Sequence, residues 1–332
     1  MIHLTYLEAA VVGLIQGVTE LFPVSSLGHN VLIPALIGGS WAADLNVSKP
    51  ESIYLAFIVG MHVATAIGIM AYFWRDWVRI IAGFLTSIRD REVRTTDQKL
   101  AWMLILATIP VGIVGLLFEH AFRVLFGVPI RAAIFLVVNG VILYAGEKFR
   151  TKASLAADQR LAAEREQEDG RAAVPARSGG QVAGHASGQR AVRQLEVAQA
   201  EQADERLAAM DYLPGMLIGA SQILALLAGI SRDGVTIVAG MARGLSREDA
   251  ARFAFLLATP VILAAGVLKT PDLIRLGHGV YGQILLGSLL SGIGAYVSVR
   301  FLVKYFQTRT LTPFAIYCVL FGLGSIIYLQ VK

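Results

Sequence analysis

In a mostly apolar chain, the residues able to do acid–base or phosphate chemistry gather in two short runs. The first holds Gln16, Glu20, Ser25, Ser26 and His29, interrupted by Pro23 and Gly28. Gln16 and Glu20 are four apart and share one helix face. Pro23 ends that helix, and Ser25 or Ser26 is placed to cap the next, whose free N–H groups and positive dipole end favour a phosphate. Ser26 and His29, three apart, set a potential nucleophile and a potential proton carrier beside the Glu20 carboxylate. The second run places Ser231, Arg232, Asp233, Gly234 and Thr236 after a break at Gly229. Arg232 is a permanent cation whose forked donors match phosphate oxygens, and at membrane depth it is costly unless paired or wet. Plainer readings exist for each residue: serines as helix-packing groups, Arg232 as a partner for Glu20 or Asp233 alone, His62 as a helix-interface histidine, Glu119 and His120 as a solvated loop end. The convergence of carboxylate, hydroxyl, imidazole and guanidinium on two broken segments favours a site.

The elements that must hold these runs are membrane elements. Of 332 residues, 55% are apolar and 16% charged, and the mean hydropathy is +0.62. Soluble domains carry about 25% charged residues, so this chain lacks the side chains to coat a water-facing globule. Lys and Arg number 29 against 24 Asp and Glu, a net +5; in a membrane protein that excess belongs in cytoplasmic loops, and nucleic acid is not an expected partner. The single cysteine, Cys318, excludes an intramolecular disulfide and a cysteine-rich metal site. A crossing helix needs roughly 20 apolar residues, and six stretches supply them: Ile53 to Trp74, Leu100 to Phe118, Ile130 to Glu147, Ala250 to Leu268, Val280 to Leu302 and Pro313 to Leu329. Leu4 to Ile37 and Leu213 to Met241 are apolar but interrupted, and each reads as a re-entrant pair of half-helices, tolerated only where protein or a wet cavity satisfies the opened backbone. With no basic leader, and with Glu8 and Glu20 inside it, the N-terminal stretch is expected to belong to the mature fold.

Arg75, Arg79, Arg89, Arg91, Arg94 and Lys99 in one loop, and Lys304 and Arg309 in another, assign those loops to the cytoplasm. The first hairpin then enters from the outer face, the second from the inner face, and the C-terminus lies outside. From Lys148 to Asp211 the composition changes to Ala, Gln, Glu, Arg and Gly, with a Gly/Ser-rich centre from Ser178 to Gly188. A charged cytoplasmic linker is expected there, partly helical and partly disordered, with no chemistry of its own; a regulatory binding segment is the alternative. An offset of 206 superposes Gly13 on Gly219, Gln16 on Gln222, Ser25 on Ser231, Gly28 on Gly234 and Gly38 on Gly244. An offset of 198 superposes Ala56 and Phe57 on Ala254 and Phe255, and Gly68 on Gly266. The two copies, residues 1–147 and 212–332, each combine a hairpin (about 4–37 and 213–241) with three crossings, and the odd number of crossings inverts one copy relative to the other. The predicted fold is therefore an all-α polytopic membrane protein of about ten helices, an inverted repeat whose re-entrant hairpins meet near the bilayer midplane.

With those residues set out, the chain resembles the bacterial undecaprenyl-diphosphate phosphatase family, of bacitracin-resistance type, over nearly its whole length except the insert from Lys148 to Asp211. The family's first motif, a Glu or Gln, a Glu, and then Pro-Val-Ser-Ser-x-Gly-His, is present in full between Gln16 and His29. Its second motif, Pro-Gly-x-Ser-Arg-Ser-x-x-Thr, is met with Ala228 in place of the proline and Asp233 in place of the last serine. The resemblance implies an enzyme of the bacterial inner membrane that hydrolyses a C55 polyprenyl diphosphate to the monophosphate and inorganic phosphate. Its site would open to the outer face, and it would recycle the lipid carrier of cell-wall synthesis. Carried over residue by residue, Glu20 is the base or metal-linked carboxylate, Ser26 the nucleophile, His29 the proton-transfer partner and Arg232 the diphosphate clamp. Gln16, Ser25, Ser231, Gly234 and Thr236 complete the substrate-binding set. A divalent cation, Mg²⁺ with Ca²⁺ as the alternative, is implied as cofactor. Many members have a second carboxylate where this chain has Gln16, and Asp233 is expected to restore that metal ligand beside Glu20; the competing reading makes Asp233 the mark of a paralogue with a different substrate. The expected partners are the lipid substrate and membrane lipids, with a homodimer left open. A second function class is a transporter or flippase for an anionic polyprenyl lipid or phosphate, because inverted repeats with broken helices are a transporter plan. A noncatalytic scaffold is the third.

Overall fold

Thr5 starts the first helix: its hydroxyl accepts from the Glu8 N–H while the Glu8 carboxylate accepts from the Thr5 N–H, a reciprocal capping box. Helix α1 (Tyr6–Thr19) ends at Glu20, and after Pro23 the chain turns back as α2 (Ser26–Ile37), capped by the Ser25 hydroxyl on the Gly28 N–H. Then follow α3 (Gly39–Asp44), α4 (Ile53–Tyr72), α5 (Trp74–Asp90), α6 (Thr96–Phe126) and α7 (Pro129–Lys148). The insert forms α8 (Lys152–Ala172) and α9 (His185–Ala209). The second hairpin is α10 (Tyr212–Ala220), a 3₁₀ turn (Ser221–Leu226) and α11 (Arg232–Ala242), the last capped by Ser231 on the Gly234 N–H. It leads into α12 (Arg247–Arg275), α13 (Tyr281–Thr308) and α14 (Thr312–Val331). The computed structural model describes residues 4–45, 53–126, 128–172, 185–275 and 280–331, and among these there is no strand. Among the described residues fourteen α-helices replace the expected ten, because α3, α5, α8 and α9 lie outside the two expected hairpins and six expected crossings.

Among the described residues, α6, α7, α12, α13 and α14 have the length and hydropathy to cross a membrane; α4, which holds the sixth expected crossing, is 20 residues long, the length a crossing needs. Their outward faces are apolar, with Leu116, Leu117, Leu285, Leu320 and Ile327 exposed, a belt that only lipid would cover. Helix α5 is different: Val78, Ile81, Leu85 and Ile88 form one exposed apolar stripe, with Arg79 on another face and Arg89 at the stripe's edge in the last turn, the pattern of a helix lying in the interface. The multi-pass membrane architecture follows from these surfaces.

The two hairpins enter from opposite faces. Helix α1 begins beside the start of α13, where Tyr6 meets Gly282, and reaches the middle of that helix, where Gly17 meets Ser291 and Gly294. Helix α10 starts at the other face and packs along the first half of α6, where Gly215 meets Met103 and Gly219 meets Ala107. Each hairpin thus docks on a crossing of the other copy. The repeat-related glycines make this docking close: a Cβ on Gly13 would stand 2.4 Å from the Gly287 carbonyl oxygen, and one on Gly219 would stand 2.1 Å from that of Ala107.

One face of the molecule carries most of the charge. There Arg206 makes two parallel bonds to Asp249, each 2.9 Å, so α9 is tied to α12. Asp204 of α9 receives Arg79 at 2.8 Å and Arg252 at 2.8 Å, and Asp76 receives the same two arginines. Arg247 joins Glu147 of α7 to Asp158 of α8 at 2.6 and 3.2 Å, and Arg165 pairs with Glu248. The insert is therefore docked on the crossings by ion pairs through both of its helices. Of its Gly/Ser-rich centre, 178–184 lies outside the described residues, and 185–188 opens α9.

Candidate functional site

The tips of the two hairpins meet in the interior, and three polar bonds stitch them together. The Ser25 hydroxyl accepts from the Gly229 N–H at 3.2 Å as well as from Gly28. Asn139 of α7 reaches both tips: its Nδ2 donates to the Pro23 carbonyl at 3.0 Å and its Oδ1 accepts from the Ser231 N–H at 2.9 Å. Ser25 holds a left-handed backbone, φ 68°, which a residue with a side chain adopts only at a cost of the order of 1–3 kcal/mol, so the surrounding contacts impose it. Both α2 and α11 then start at this junction, so the positive dipole ends of two capped helix N-termini converge there.

Glu20 sits at the centre of the junction, buried. Its Oε2 accepts from the Ser26 hydroxyl at 2.5 Å and from Gln16 Nε2 at 2.7 Å, and lies 3.3 Å from His62 Nε2. Its Oε1 accepts from the Arg232 guanidinium at 2.8 Å, which joins the first hairpin to the second. Gln16 is oriented in turn by Asn30, whose Nδ2 donates to its Oε1 at 2.6 Å. Arg232 also donates to the Ala258 carbonyl at 3.2 Å, and its Nε lies 3.4 Å from Asp233 without forming a hydrogen bond.

Glu20, Ser26, Gln16, Arg232 and Asp233 are thereby brought together, and Ser25 and Ser231 frame them as caps. Gly234 gives its N–H to Ser231, and a Cβ there would meet Leu143 at 3.0 Å. Thr236 spends its hydroxyl on the Arg232 carbonyl one turn back, 2.8 Å, so it steadies the helix that carries the arginine. His29 turns away from Ser26: its Nδ1 bonds the Ser25 carbonyl and its Nε2 the Tyr317 hydroxyl, both at 2.7 Å, and its ring stacks with those of Tyr317 and Phe321. The imidazole that faces Glu20 belongs to His62. Its Nδ1 donates to the Ile58 carbonyl at 2.8 Å, which aims Nε2 at the carboxylate. Read as a helix-interface histidine, His62 is instead a member of the cluster. The signal for it was its standing as an ionisable residue in an apolar crossing. Asn139, a lone amide in α7, carried the same kind of signal.

Several atoms here are buried without a hydrogen-bond partner: both Asp233 oxygens, Arg232 Nε, Asn30 Oδ1 and Thr259 Oγ1. Buried polar groups are rarely left so, and a cluster of donors and acceptors around one carboxylate–guanidinium pair suits a polar ligand. Among the described residues no three His, Cys, Asp or Glu side chains converge as a metal cage. Chemically, a carboxylate that accepts from a hydroxyl and is itself held by an amide, an imidazole and a guanidinium can take that hydroxyl's proton, and the guanidinium can bind phosphate oxygens.

The chain matches the model of the family described as bacitracin resistance protein BacA over residues 9–174 and 182–324. It is 54% identical to the undecaprenyl-diphosphatase of Mycolicibacterium paratuberculosis over 331 residues, covering 99% of each chain. It is 52% identical to undecaprenyl-diphosphatase 2 of Frankia alni, with 97% of each chain covered. A more distant relative, undecaprenyl-diphosphatase 2 of Chromobacterium violaceum, is 36% identical over 97% of this chain and 98% of its own.

Proposed function

The chain belongs to the bacitracin resistance protein BacA family, and from that premise we propose how its residues carry the family's reaction. It is an integral membrane phosphatase that hydrolyses undecaprenyl diphosphate to undecaprenyl phosphate and inorganic phosphate, in the recycling of the cell-wall lipid carrier. The polyprenyl tail stays in lipid while the diphosphate enters the junction of the hairpins. The observation that carries the residue assignment is the pair of bonds on Glu20, from the Ser26 hydroxyl on one oxygen and from Arg232 on the other.

Glu20 acts as the base. It takes the proton of the attacking oxygen, either the Ser26 hydroxyl or a water in its place, as that oxygen bonds to the terminal phosphorus and the bond to the bridging oxygen breaks. With serine as nucleophile, water then releases phosphate from the seryl ester and restores the hydroxyl. Arg232 and the N-termini of α2 and α11 hold the charge on the transferring phosphoryl oxygens. Gln16 and His62 keep the Glu20 carboxylate in line with Ser26, and Asn139 and Ser25 hold the tips together. His29, locked by Tyr317 and the Ser25 carbonyl, fixes the backbone of the first turn of α2.

The donor set suits a divalent cation in one respect: Asp233 presents a buried carboxylate with both oxygens free of hydrogen bonds, whereas those of Glu20 are already engaged. Mg²⁺ accepts one or two carboxylates and completes its shell with phosphate oxygens and water. Asp233 would hold the ion, with Glu20 as the second carboxylate once one of its present donors gives way, and the ion would supply neutralisation of the diphosphate charge.

The charged face is cytoplasmic on the lysine and arginine count, so the first hairpin opens to the outer leaflet of the inner membrane, where the lipid diphosphate would be reached. The inverted repeat also suits a transporter of anionic lipid. Phosphate release from a long-chain polyprenyl diphosphate by purified protein in detergent separates the two, since transport alone releases none. No release, with the protein folded and magnesium present, overturns the phosphatase reading.

A further inference from the structure

The charged face also holds a cavity of about 410 Å³ between the start of α5, α9, α12 and α13. Five cations line it, Arg75, Arg79, Arg252, Arg300 and Lys304, against Asp76 and Glu248. Arg79 and Arg252 are spoken for by Asp76 and Asp204. Arg75, Arg300 and Lys304 have no carboxylate partner among the described residues; Arg75 lies over the Trp74 ring at 5.2 Å. Arg300 and Lys304 are four apart on α13, and like charges at that spacing destabilise a helix unless an anion lies between them. Arg150, Arg165, Arg206 and Arg247 of the same layer are matched to carboxylates, whereas these three cations form a local surplus of positive charge lining one void.

Its depth identifies the anion. Trp74 and Tyr296, both exposed, line the same cavity, and exposed aromatics of this kind mark the headgroup level of a bilayer. One and two turns deeper on α13 than Tyr296, Ile293 and Leu289 are exposed and apolar, a surface for acyl chains. We propose that this cavity binds the phosphate headgroup of an anionic membrane phospholipid, its glycerol end directed along α13 into the lipid. Basic recesses between crossing helices on the cytoplasmic side recognise anionic headgroups in this way. Because α9 and α5 form two of the walls, the bound lipid bridges the insert and the crossings. The site is separate from the hairpin junction and does not rest on the phosphatase reading.

The test uses the full chain in phosphatidylcholine nanodiscs, titrated with phosphatidylglycerol, with lipid retention by native mass spectrometry and the thermal midpoint as readouts. The wild type is expected to retain phosphatidylglycerol over phosphatidylcholine and to gain thermal stability. The double variant Arg300→Gln, Lys304→Gln should bind phosphatidylglycerol about 30-fold more weakly, each cation near the surface contributing about fivefold. Its hydrolytic turnover in neutral detergent should be unchanged, because neither side chain touches the junction and neither has a carboxylate partner among the described residues to lose. Equal retention by the double variant overturns the proposal, and so does equal retention of the two lipids by the wild type. An equal gain in stability from millimolar inorganic phosphate alone would make the ligand a soluble phosphate and overturn the lipid assignment.

Discussion

The hairpin junction and the charged face are built from the same residue types, arginine against carboxylate, and differ in how completely they are satisfied. On the charged face Arg206 and Asp249 meet in a two-bonded fork, and Arg247 is shared between Glu147 and Asp158. In the junction Glu20 collects donors from three residues and lies against His62, yet both oxygens of Asp233 and the Nε of Arg232 have none. Matched pairs fix helices in place. An incompletely matched, water-poor cluster strongly favours whatever completes it, since a buried polar group without a partner costs roughly 1–3 kcal/mol. The difference separates charges that hold the fold from charges that await a ligand.

That contrast can be broken by substitution. Glu20→Gln keeps the shape of the junction and removes the base, and kcat for phosphate release is expected to fall about 1,000-fold, within the range for loss of a general base; retention of most activity in a folded variant would remove Glu20 from the chemistry. Arg247→Met should do the reverse. It removes one of the two arginines that hold Glu147 and Asp158 and leaves them to Arg150, costing about 2 kcal/mol of stability, while turnover per folded molecule stays at the wild-type level. A fall in kcat at unchanged thermal midpoint would show the charged face to be coupled to the junction.

Smaller effects sharpen the roles of the two histidines and of Asp233. His62→Gln should lower kcat about tenfold and alter the acid limb of the pH–rate profile, because the imidazole that faces Glu20 is replaced by an amide that does not titrate. Tyr317→Phe, which takes the partner from His29 Nε2, should cost less than that and leave the profile's shape intact. The opposite ranking would return the proton-transfer role to His29. Asp233→Ser should raise the Mg²⁺ concentration needed for half-maximal activity by a few-fold; an unchanged magnesium requirement would exclude Asp233 as a ligand.

Much of the architecture was legible before any coordinates. Pro23 and Gly229 marked where helices break, and Ser25 and Ser231, superposed by the repeat, are N-caps bonded to the superposed Gly28 and Gly234. Capping is local chemistry and leaves a local signature. His62 was misread because its meaning comes from Glu20, 42 residues away on another helix. The insert was read as a charged linker because charged helices look solvated until their partners are known. Arg79 and Arg252 lie far from Asp204 in sequence and meet it only after α5, α9 and α12 have packed.

By itself, the sequence determined the solvent of this protein, the positions of its breaks and the doubling of its plan, because hydropathy, proline and glycine placement, and capping act over one or two helical turns. Tertiary structure alone decided which imidazole faces Glu20, that Asn139 clasps both tips, and which arginines remain unmatched. Those outcomes depend on distances between helices packed from opposite faces, set by close glycine contacts such as Gly13 on Gly287 and Gly219 on Ala107. The charges take their roles from that approach, since the strength of a carboxylate–guanidinium or carboxylate–imidazole contact varies with separation and burial, which the linear chain does not contain.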